Sequence, residues 1–325
     1  MERPKTTPTY CVVIEWDNAR FSELSRARRM LAELLRQMEA LAVRTGGLGR
    51  VIVVYDESRI DVRLLRQCFF EYAGNAWDEK IRFVTRPGAR YYELKNLGAK
   101  EASGDVLVFL DSDVIPEPGW LMSLLGSFQD PNVEVVSGGT FISLDGLYEK
   151  AFALFWFFPL RRSAPTLREA RNFFANNVAF RRQVFARHPF PELVQSRGQC
   201  VALAETLVKQ RIGLYRQESA WVSHPPPNGI QHFCMRAVTQ GHDRLADVCR
   251  SADGIAPPLR TTYWAFVANL RFALWRIRTH FREVGLGRAG AAYAALLAAL
   301  YYSIMAGGEM LTRASPGFVR RHLLV

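Results

Sequence analysis

Short apolar runs alternate with longer amphipathic stretches over the first third of the chain. The apolar runs cover residues 10–14, 51–55 and 106–110, and each has the length of a buried β-strand, while residues 81–84 form a weaker candidate strand that is interrupted by Arg82. Between them, residues 21–42, 61–72 and 92–102 carry apolar side chains at helical spacing. Because strands that alternate with helices form right-handed crossovers, this order predicts a mainly parallel sheet flanked by helices, an α/β fold.

Acidic residues follow three of the four predicted strands. Glu15 and Asp17 follow the first strand, Asp56 follows the second, and Asp111 and Asp113 follow the fourth. Ligands of parallel sheets bind beyond these carboxyl ends, so the acidic residues are candidate site residues. Neither a GxGxxG sequence nor a P-loop follows any of these strands, and phosphate must therefore be held in another way.

Asp111 and Asp113 stand one residue apart at the exit of a buried run, just before Pro116 and Pro118. Carboxylate oxygens are suitable ligands for a hard cation such as Mg²⁺ or Mn²⁺, and the cation can in turn hold a diphosphate. An acidic residue after a strand can also cap the following helix. The pair thus indicates a metal centre, with helix capping as the alternative.

Five segments between residues 10 and 232 have a recognisable order and spacing. They read CVVIEWDNA, VVYDES, YYELKNLGAKEASGDVLVFLDSDV, NNVAFRR and WVSH. Together they resemble family 2 glycosyltransferases of the GT-A fold, over about two thirds of the chain. The resemblance implies a Rossmann-like nucleotide-binding sheet. It also implies transfer of a sugar from a nucleotide diphosphate sugar to a hydroxyl acceptor, with inversion at the anomeric carbon.

The resemblance also implies roles for the acidic residues. Asp113, assisted by Asp111, would bind Mg²⁺ or Mn²⁺ as a Lewis acid. The positions that would bind the nucleotide are Glu15, Asp17, Asp56, Asn96 and Asp111. Asp56 matches an acidic residue that recognises uracil in the family, so a UDP-sugar is the favoured donor.

Two later segments carry the remaining implied roles. Asn176 and Asn177 match the segment that lines the donor sugar and the acceptor. His224 matches the histidine that closes the catalytic domain. It is a candidate third metal ligand, since imidazole suits Mn²⁺ better than Mg²⁺. The alternative is a hydrogen-bonded residue ahead of the turn at 225–227.

The sequence departs from the family at the general base. Gln199 and Cys200 occupy the positions where the family has an acidic pair, and one member of that pair takes the acceptor's proton. A glutamine cannot do so near neutral pH, and an unperturbed thiol is a poor base. Glu205 is the nearest carboxylate and a weak candidate, because it points away from the apolar helix face and can pair with Lys209.

Two other functions are alternatives to sugar transfer. A catalytically weak or inactive scaffold that binds a nucleotide sugar is consistent with Gln199 and Cys200. A nucleotidyltransferase of similar fold usually has a glycine-rich, basic loop after the first strand, and EWDNARF lacks one.

The net charge limits the expected binding partners, and the cysteine content indicates the redox compartment. The net charge of +11 favours anionic partners such as nucleotide diphosphates, anionic lipid or nucleic acid. The arginines are dispersed and no base-reading module is recognised, so nucleic acid is not an expected partner. The five cysteines include no CxxC pair, which indicates free thiols in a reducing compartment.

Three segments favour a membrane surface. Residues 148–162 are dense in aromatic side chains, residues 263–281 form an amphipathic basic helix, and residues 289–308 carry no charge. The alternatives are packed helices of a soluble unit and, for the last segment, a membrane span or a re-entrant arm. We expect a catalytic domain over residues 1–235 and a helical, membrane-associated region over 236–325. The expected location is the cytoplasmic face of the cell membrane, with a glycan or lipid-linked acceptor. The sequence leaves the oligomeric state unassigned.

Overall fold

The computed structural model of the chain describes residues 8–73, 77, 79–162, 166–193, 195, 197–252, 256–315 and 317–319. The chain divides into two compact units. The sheet unit comprises residues up to 140 together with 161–192 and 199–224, and the helical unit comprises 141–160, 193–198 and 225 onward. Residues 141–160, which we expected in the catalytic domain, cluster with the helical unit.

Four parallel strands form one half of the central sheet. They are β1 (Tyr10–Glu15), β2 (Arg50–Tyr55), β3 (Ile81–Thr85) and β4 (Val106–Asp111). They lie in the order β3-β2-β1-β4, with Ile14 of β1 opposite Val53 and Leu110. Helices cover both faces of such a sheet, which is why β1, β2 and β4 are largely apolar runs, whereas the edge strand β3 contains the exposed Arg82. The four predicted strands and their parallel pairing are confirmed.

Three helices connect the parallel strands. They are α1 (Leu24–Thr45), α2 (Val62–Phe70) and α3 (Tyr91–Glu101). The leucines and methionines of α1, including Leu31, Leu34 and Met38, are buried in the core. The helix ends at Gly46, whose φ of 75° lies in the left-handed region that glycine adopts most readily.

The second half of the chain adds antiparallel strands to β4. In chain order the elements are β5 (Ile115–Pro116), α4 (Trp120–Gly126), β6 (Val135–Ile142), α5 (Leu147–Ala153), β7 (Leu167–Glu169), β8 (Asn177–Arg181), α6 (Arg182–Arg187), α7 (Gln199–Lys209) and β9 (Leu214–His224). The strand order continues β4-β8-β6-β9-β5, and β7 pairs with β9. Ile115 lies opposite Ser223, so the residues just after β4 meet the end of β9.

The contact of α3 with the sheet depends on Gly98. A Cβ atom at this position would lie 2.5 Å from Val13 Cγ1 and 2.8 Å from Val54 Cγ1. We expect Gly98→Ala to lower the free energy of unfolding by about 1–3 kcal/mol, because the extra methyl group overpacks a buried contact. Gly126→Ala is the matched control, since nothing lies within 4 Å of its Cβ position. Urea unfolding of both variants checks this, and equal stabilities would contradict the assignment.

The helical unit contains α5 and three long helices. These are α8 (Gly229–Ser251), α9 (Leu259–His280) and α10 (Arg288–Ala314). Glycines allow α8 and α10 to approach closely, because a Cβ atom at Gly241 would lie 2.1 Å from the Met305 carbonyl oxygen. On length and composition alone, α10 could cross a membrane, and it is the one such helix among the described residues.

Candidate active site

The acidic residues at the carboxyl ends of β1 and β2 form one hydrogen-bonded group. Glu15 Oε1 accepts a bond of 2.7 Å from the Asp17 amide, and Asp17 Oδ1 accepts one of 3.0 Å from the Asp56 amide. All three residues are buried. The predicted convergence of Glu15, Asp17 and Asp56 at one sheet edge therefore occurs.

Asp17 and Asp56 have opposite tendencies to ionise. Burial raises the pKa of Asp17 above its ordinary value, although the Asp56 amide and Arg59 act in the opposite direction. Burial also opposes ionisation of Asp56, but bonds from the Ser58 hydroxyl and amide outweigh it and lower the pKa of Asp56. Arg59 Nε, 3.1 Å from Asp56 Oδ2, adds to this effect. Asp56 is therefore an anionic acceptor at neutral pH.

Three donors surround the carboxylate of Asp111. Lys95 Nζ lies 2.5 Å from Oδ1, and the Tyr91 hydroxyl lies 2.7 Å from Oδ2. Asn18 Nδ2 donates to Oδ2 at 3.0 Å. Lys95 is completely buried, so its ammonium group serves as an internal counter-charge. Both carboxylate oxygens thus have protein donors.

Asp113 faces a different partner. Its Oδ2 lies 3.6 Å from Nε2 of His224, at the end of β9. Arg26 on α1 holds the two segments together, because its Nε donates to the Asp113 carbonyl at 2.6 Å. The same guanidinium donates to the carbonyl and hydroxyl oxygens of Ser223, at 2.7 and 3.1 Å. Two of the three side chains that we predicted as metal ligands, Asp113 and His224, are therefore neighbours.

Asp113 and His224 lie near the separation that one octahedral divalent cation requires. Metal–ligand bonds of roughly 2.1 Å place adjacent octahedral ligands about 3.0 Å apart, so the 3.6 Å between Asp113 Oδ2 and His224 Nε2 would have to shorten by about 0.6 Å. Over the described ranges, no three His, Cys, Asp or Glu side chains form a metal-holding cluster. A centre with so few protein ligands is typical of Mg²⁺ or Mn²⁺ that also binds phosphate oxygens.

Two asparagines that we predicted to bind substrate make hydrogen bonds within the fold. The amide of Asn96 donates to the Phe190 carbonyl at 2.8 Å and accepts from the Phe190 amide at 3.1 Å. Asn177 is fully buried and donates to the carbonyls of Gly139 and Ala220, while its Oδ1 accepts from the Trp120 indole. Both side chains join segments of the fold, because their hydrogen-bonding groups are engaged by protein partners.

Asn176 is nearly buried and accepts a bond of 3.0 Å from the Thr140 hydroxyl. At the start of α7, Gln199 is buried and Cys200 is partly exposed. Glu205 lies on the exposed side of α7, opposite the buried Leu203 and Leu207, as its sequence position predicts.

The sequence of the chain matches one protein family. The family model described as glycosyl transferase family 2 matches residues 21–188, just over half of the chain. The chain belongs to glycosyl transferase family 2. The resemblance predicted from its motifs is thereby confirmed.

Individual proteins with similar sequence or fold agree with the family. A segment of 43 residues is 51% identical to the pre-mycofactocin glycosyltransferase of Mycobacterium tuberculosis, and it spans 13% of this chain and 9% of that protein. The fold is similar to that of the mannosyltransferase PcManGT from Pyrobaculum calidifontis, with a TM-score of 0.54 and 15% identity over 96% of this chain and 87% of that chain. GalNAc-T7 is similar with a TM-score of 0.50 and 13% identity, over 68% of this chain and 44% of that chain. At these identities the two structures support the GT-A fold alone.

Three residues that shape the family 2 site were not identified from the sequence as site residues. Tyr91 and Lys95 are spaced one helical turn apart on α3, and this spacing next to the buried strand of Asp111 is a signal that could have identified them. In the structure Lys95 forms a buried ion pair with Asp111. Arg26 gives no comparable signal, since its partners are distant in the sequence.

Proposed function

We propose that this glycosyltransferase transfers a sugar from a nucleoside diphosphate sugar to a hydroxyl acceptor, with one divalent cation held by Asp113 and His224. The observation that carries the proposal is the 3.6 Å separation of these two side chains at the exits of β4 and β9. PcManGT was solved with GDP-Man and Mn²⁺, and GalNAc-T7 with UDP, GalNAc and Mn²⁺, which supports both the donor class and the metal.

Asp56 is the proposed reader of the base. Its lowered pKa keeps a negative charge, and a carboxylate can accept the imide N–H of uracil. A guanine also presents N–H donors, so GDP-sugars are the competing donor class. We favour a UDP-sugar, because the Asp56 segment resembles the uracil-binding segment of the family.

The residues at the proposed metal centre have different roles. Asp113 and His224 would supply the protein ligands, and the bound cation would act as a Lewis acid that stabilises charge on the departing diphosphate. Asp111 has a different role, because Lys95, Tyr91 and Asn18 already occupy its oxygens. We assign Asp111 to the positioning of these donors beside the nucleotide.

The acceptor and the stereochemistry of transfer are part of the proposal. The acceptor hydroxyl belongs to a glycan or a lipid-linked sugar, and transfer inverts the anomeric centre, as the family resemblance implies. We place the reaction in a reducing compartment, because all five cysteines are free thiols, and at the cytoplasmic face of the cell membrane, because we expect the helical region to associate with a membrane. Gln199 and Cys200 leave the general base unassigned.

The same two residues favour a second candidate function. A chain that binds a nucleotide sugar and metal without turnover would need no general base. This scaffold function differs from transfer in one measurable respect, which is the release of nucleoside diphosphate.

A donor panel distinguishes the two functions. The full chain is incubated with UDP- and GDP-sugars, with Mn²⁺ or with EDTA, and released diphosphate is measured. Transfer or slow hydrolysis that requires Mn²⁺ supports the enzyme. Saturable binding of UDP with Mn²⁺ but no release over many hours would support the scaffold, and no nucleotide binding would contradict both.

Arg26 provides a further prediction on the metal centre. We expect Arg26→Ala to weaken Mn²⁺ binding in the presence of UDP by about 10- to 100-fold, because residues that orient metal ligands have effects of this size. Arg26→Lys keeps the charge but loses the forked hydrogen bonds, and we expect an intermediate loss. Titration of free Mn²⁺ by electron paramagnetic resonance measures the affinity.

Arg29→Ala is the control for that titration, since Arg29 lies exposed on the same helix. An Arg26→Ala variant that binds Mn²⁺ as tightly as the Arg29→Ala variant would show that Arg26 does not position the metal ligands.

A further inference from the structure

Exposed apolar and aromatic side chains lie along both α9 and α10. We call this surface the α9–α10 face and define it by the exposed large side chains of the two helices: Leu259, Tyr263, Trp264, Phe272, Leu274, Trp275, Tyr293, Leu296, Leu300 and Met310. Trp264 is 62% exposed and Leu296 is 72% exposed. Single exposed apolar residues are common, but a series along two consecutive helices indicates a binding surface.

Tryptophan exposure is confined to this face. Five of the seven tryptophans are buried: Trp16, Trp77, Trp120, Trp156 and Trp221. The other two, Trp264 and Trp275, are more than half exposed on α9. Tryptophan and tyrosine are favoured at the level of lipid headgroups, where one part of the ring system is apolar and another is hydrated.

The charges around the face are mainly positive. Exposed arginines lie along α9 and at the start of α10, namely Arg260, Arg271, Arg278, Arg282 and Arg288. Between residues 259 and 308 the sequence contains a single acidic residue, Glu283. A second copy of this surface would bring arginines against arginines, whereas an anionic lipid surface would attract them.

Polar contacts fix the inner side of α10 within the helical unit. Glu309 is buried, with Arg244 Nη2 of α8 at 2.6 Å and the Thr262 hydroxyl of α9 at 2.7 Å from its Oε2. Near the middle of the helix, the Tyr301 hydroxyl donates to Gln240 Oε1 at 2.7 Å. A membrane-spanning α10 would have to separate from Gln240 and Arg244 of the polar helix α8, and this would leave the buried Glu309 carboxylate without its counter-charge.

We propose that the α9–α10 face binds an anionic lipid membrane with both helices lying in the interface, and that α10 does not cross the bilayer. The apolar side chains enter the boundary between headgroups and acyl chains, and the arginines pair with lipid phosphates. The surface belongs to the helical unit alone, so the proposal holds whether or not sugar transfer is confirmed.

Vesicle binding tests the proposal without nucleotide or metal. The full chain is sedimented with vesicles of phosphatidylcholine that contain phosphatidylglycerol, and with vesicles of phosphatidylcholine alone. We expect tighter binding to the anionic vesicles, and a loss of about tenfold or more in the double variant Trp264→Ser/Trp275→Ser. The control is Phe70→Ser/Tyr72→Ser, which removes two exposed aromatic residues from the sheet unit and should bind as the wild type does.

Two further measurements fix the mode of binding. Brominated lipids should quench the tryptophan fluorescence more strongly when the bromine is near the headgroup than when it is near the acyl end. Alkaline carbonate should release the protein from vesicles. Stronger quenching from the acyl end together with retention in carbonate would overturn the in-plane arrangement.

Other outcomes would overturn the lipid partner. Equal vesicle binding by the tryptophan double variant and the wild type would remove the role of the face. Self-association of the wild type in the absence of vesicles, if lost in that variant, would identify a second copy as the occupant. Circular dichroism and thermal unfolding of each variant establish that it is folded.

Discussion

We expect Asp113→Asn to lower the rate of metal-dependent sugar transfer by about 100-fold or more. An amide keeps the shape of the side chain but removes the negative charge that binds a hard cation. Loss of the cation removes several kcal/mol of charge stabilisation on the departing diphosphate, and about 2.7 kcal/mol already corresponds to a 100-fold change in rate. Released nucleoside diphosphate, measured at saturating donor and Mn²⁺, gives the rate.

Two comparisons separate this effect from unfolding. Asp247→Asn makes the same chemical change at an exposed ion pair with Arg250, and it should keep the rate within about twofold. UDP binding in EDTA should also be the same in Asp113→Asn and the wild type, because the base and ribose contacts do not need the metal. An Asp113→Asn variant with wild-type turnover would remove the metal centre from the mechanism.

The second large effect concerns stability. We expect Lys95→Met to lower the free energy of unfolding by about 3–5 kcal/mol, because it leaves the buried carboxylate of Asp111 without its counter-charge. Tyr91 and Asn18 still donate to that carboxylate, but neither carries a charge. Denaturant unfolding of the wild type and the variant measures the difference.

The control for Lys95 is an exposed pair of the same type. Arg82 lies 2.8 Å from Glu101 with 62% of its side chain exposed, so Arg82→Met should cost less than about 1 kcal/mol. The double variant Lys95→Met/Asp111→Asn should recover part of the loss, since no buried charge remains. A loss below 1 kcal/mol in Lys95→Met itself would show that Asp111 is not a buried, charged partner.

The parallel half of the fold could be predicted because its signal is local. A strand buried on both faces must be apolar throughout, and β1, β2 and β4 are read directly from the runs around Val12, Val53 and Val108. The antiparallel half is less visible, since β5 has two residues and β7 has three exposed ones. Such short or exposed strands depend on neighbours that the sequence pattern does not specify.

In the candidate site, too, the residues with a local sequence signal could be predicted and those that depend on distant partners could not. Glu15, Asp56 and Asp113 were predictable because each follows a strand, and the carboxyl ends of parallel strands meet. The hydrogen bonds of Arg26 could not be predicted, because Arg26 and Ser223 are 197 residues apart in the sequence and only the complete fold brings them together. The protein partners of Asn96 and Asn177 could not be predicted, because a motif match does not distinguish an amide that binds substrate from one that joins segments of backbone.

One measurement tests the metal centre most directly. Crystals of the full chain are soaked with Mn²⁺ and UDP, and anomalous diffraction is collected at the manganese absorption edge. The predicted result is one anomalous peak bonded to the Asp113 carboxylate, to His224 Nε2 and to oxygens of the diphosphate, with Lys95 still on Asp111. A nucleotide bound without a peak, or a peak bonded to Asp111 and not to Asp113, would contradict the account.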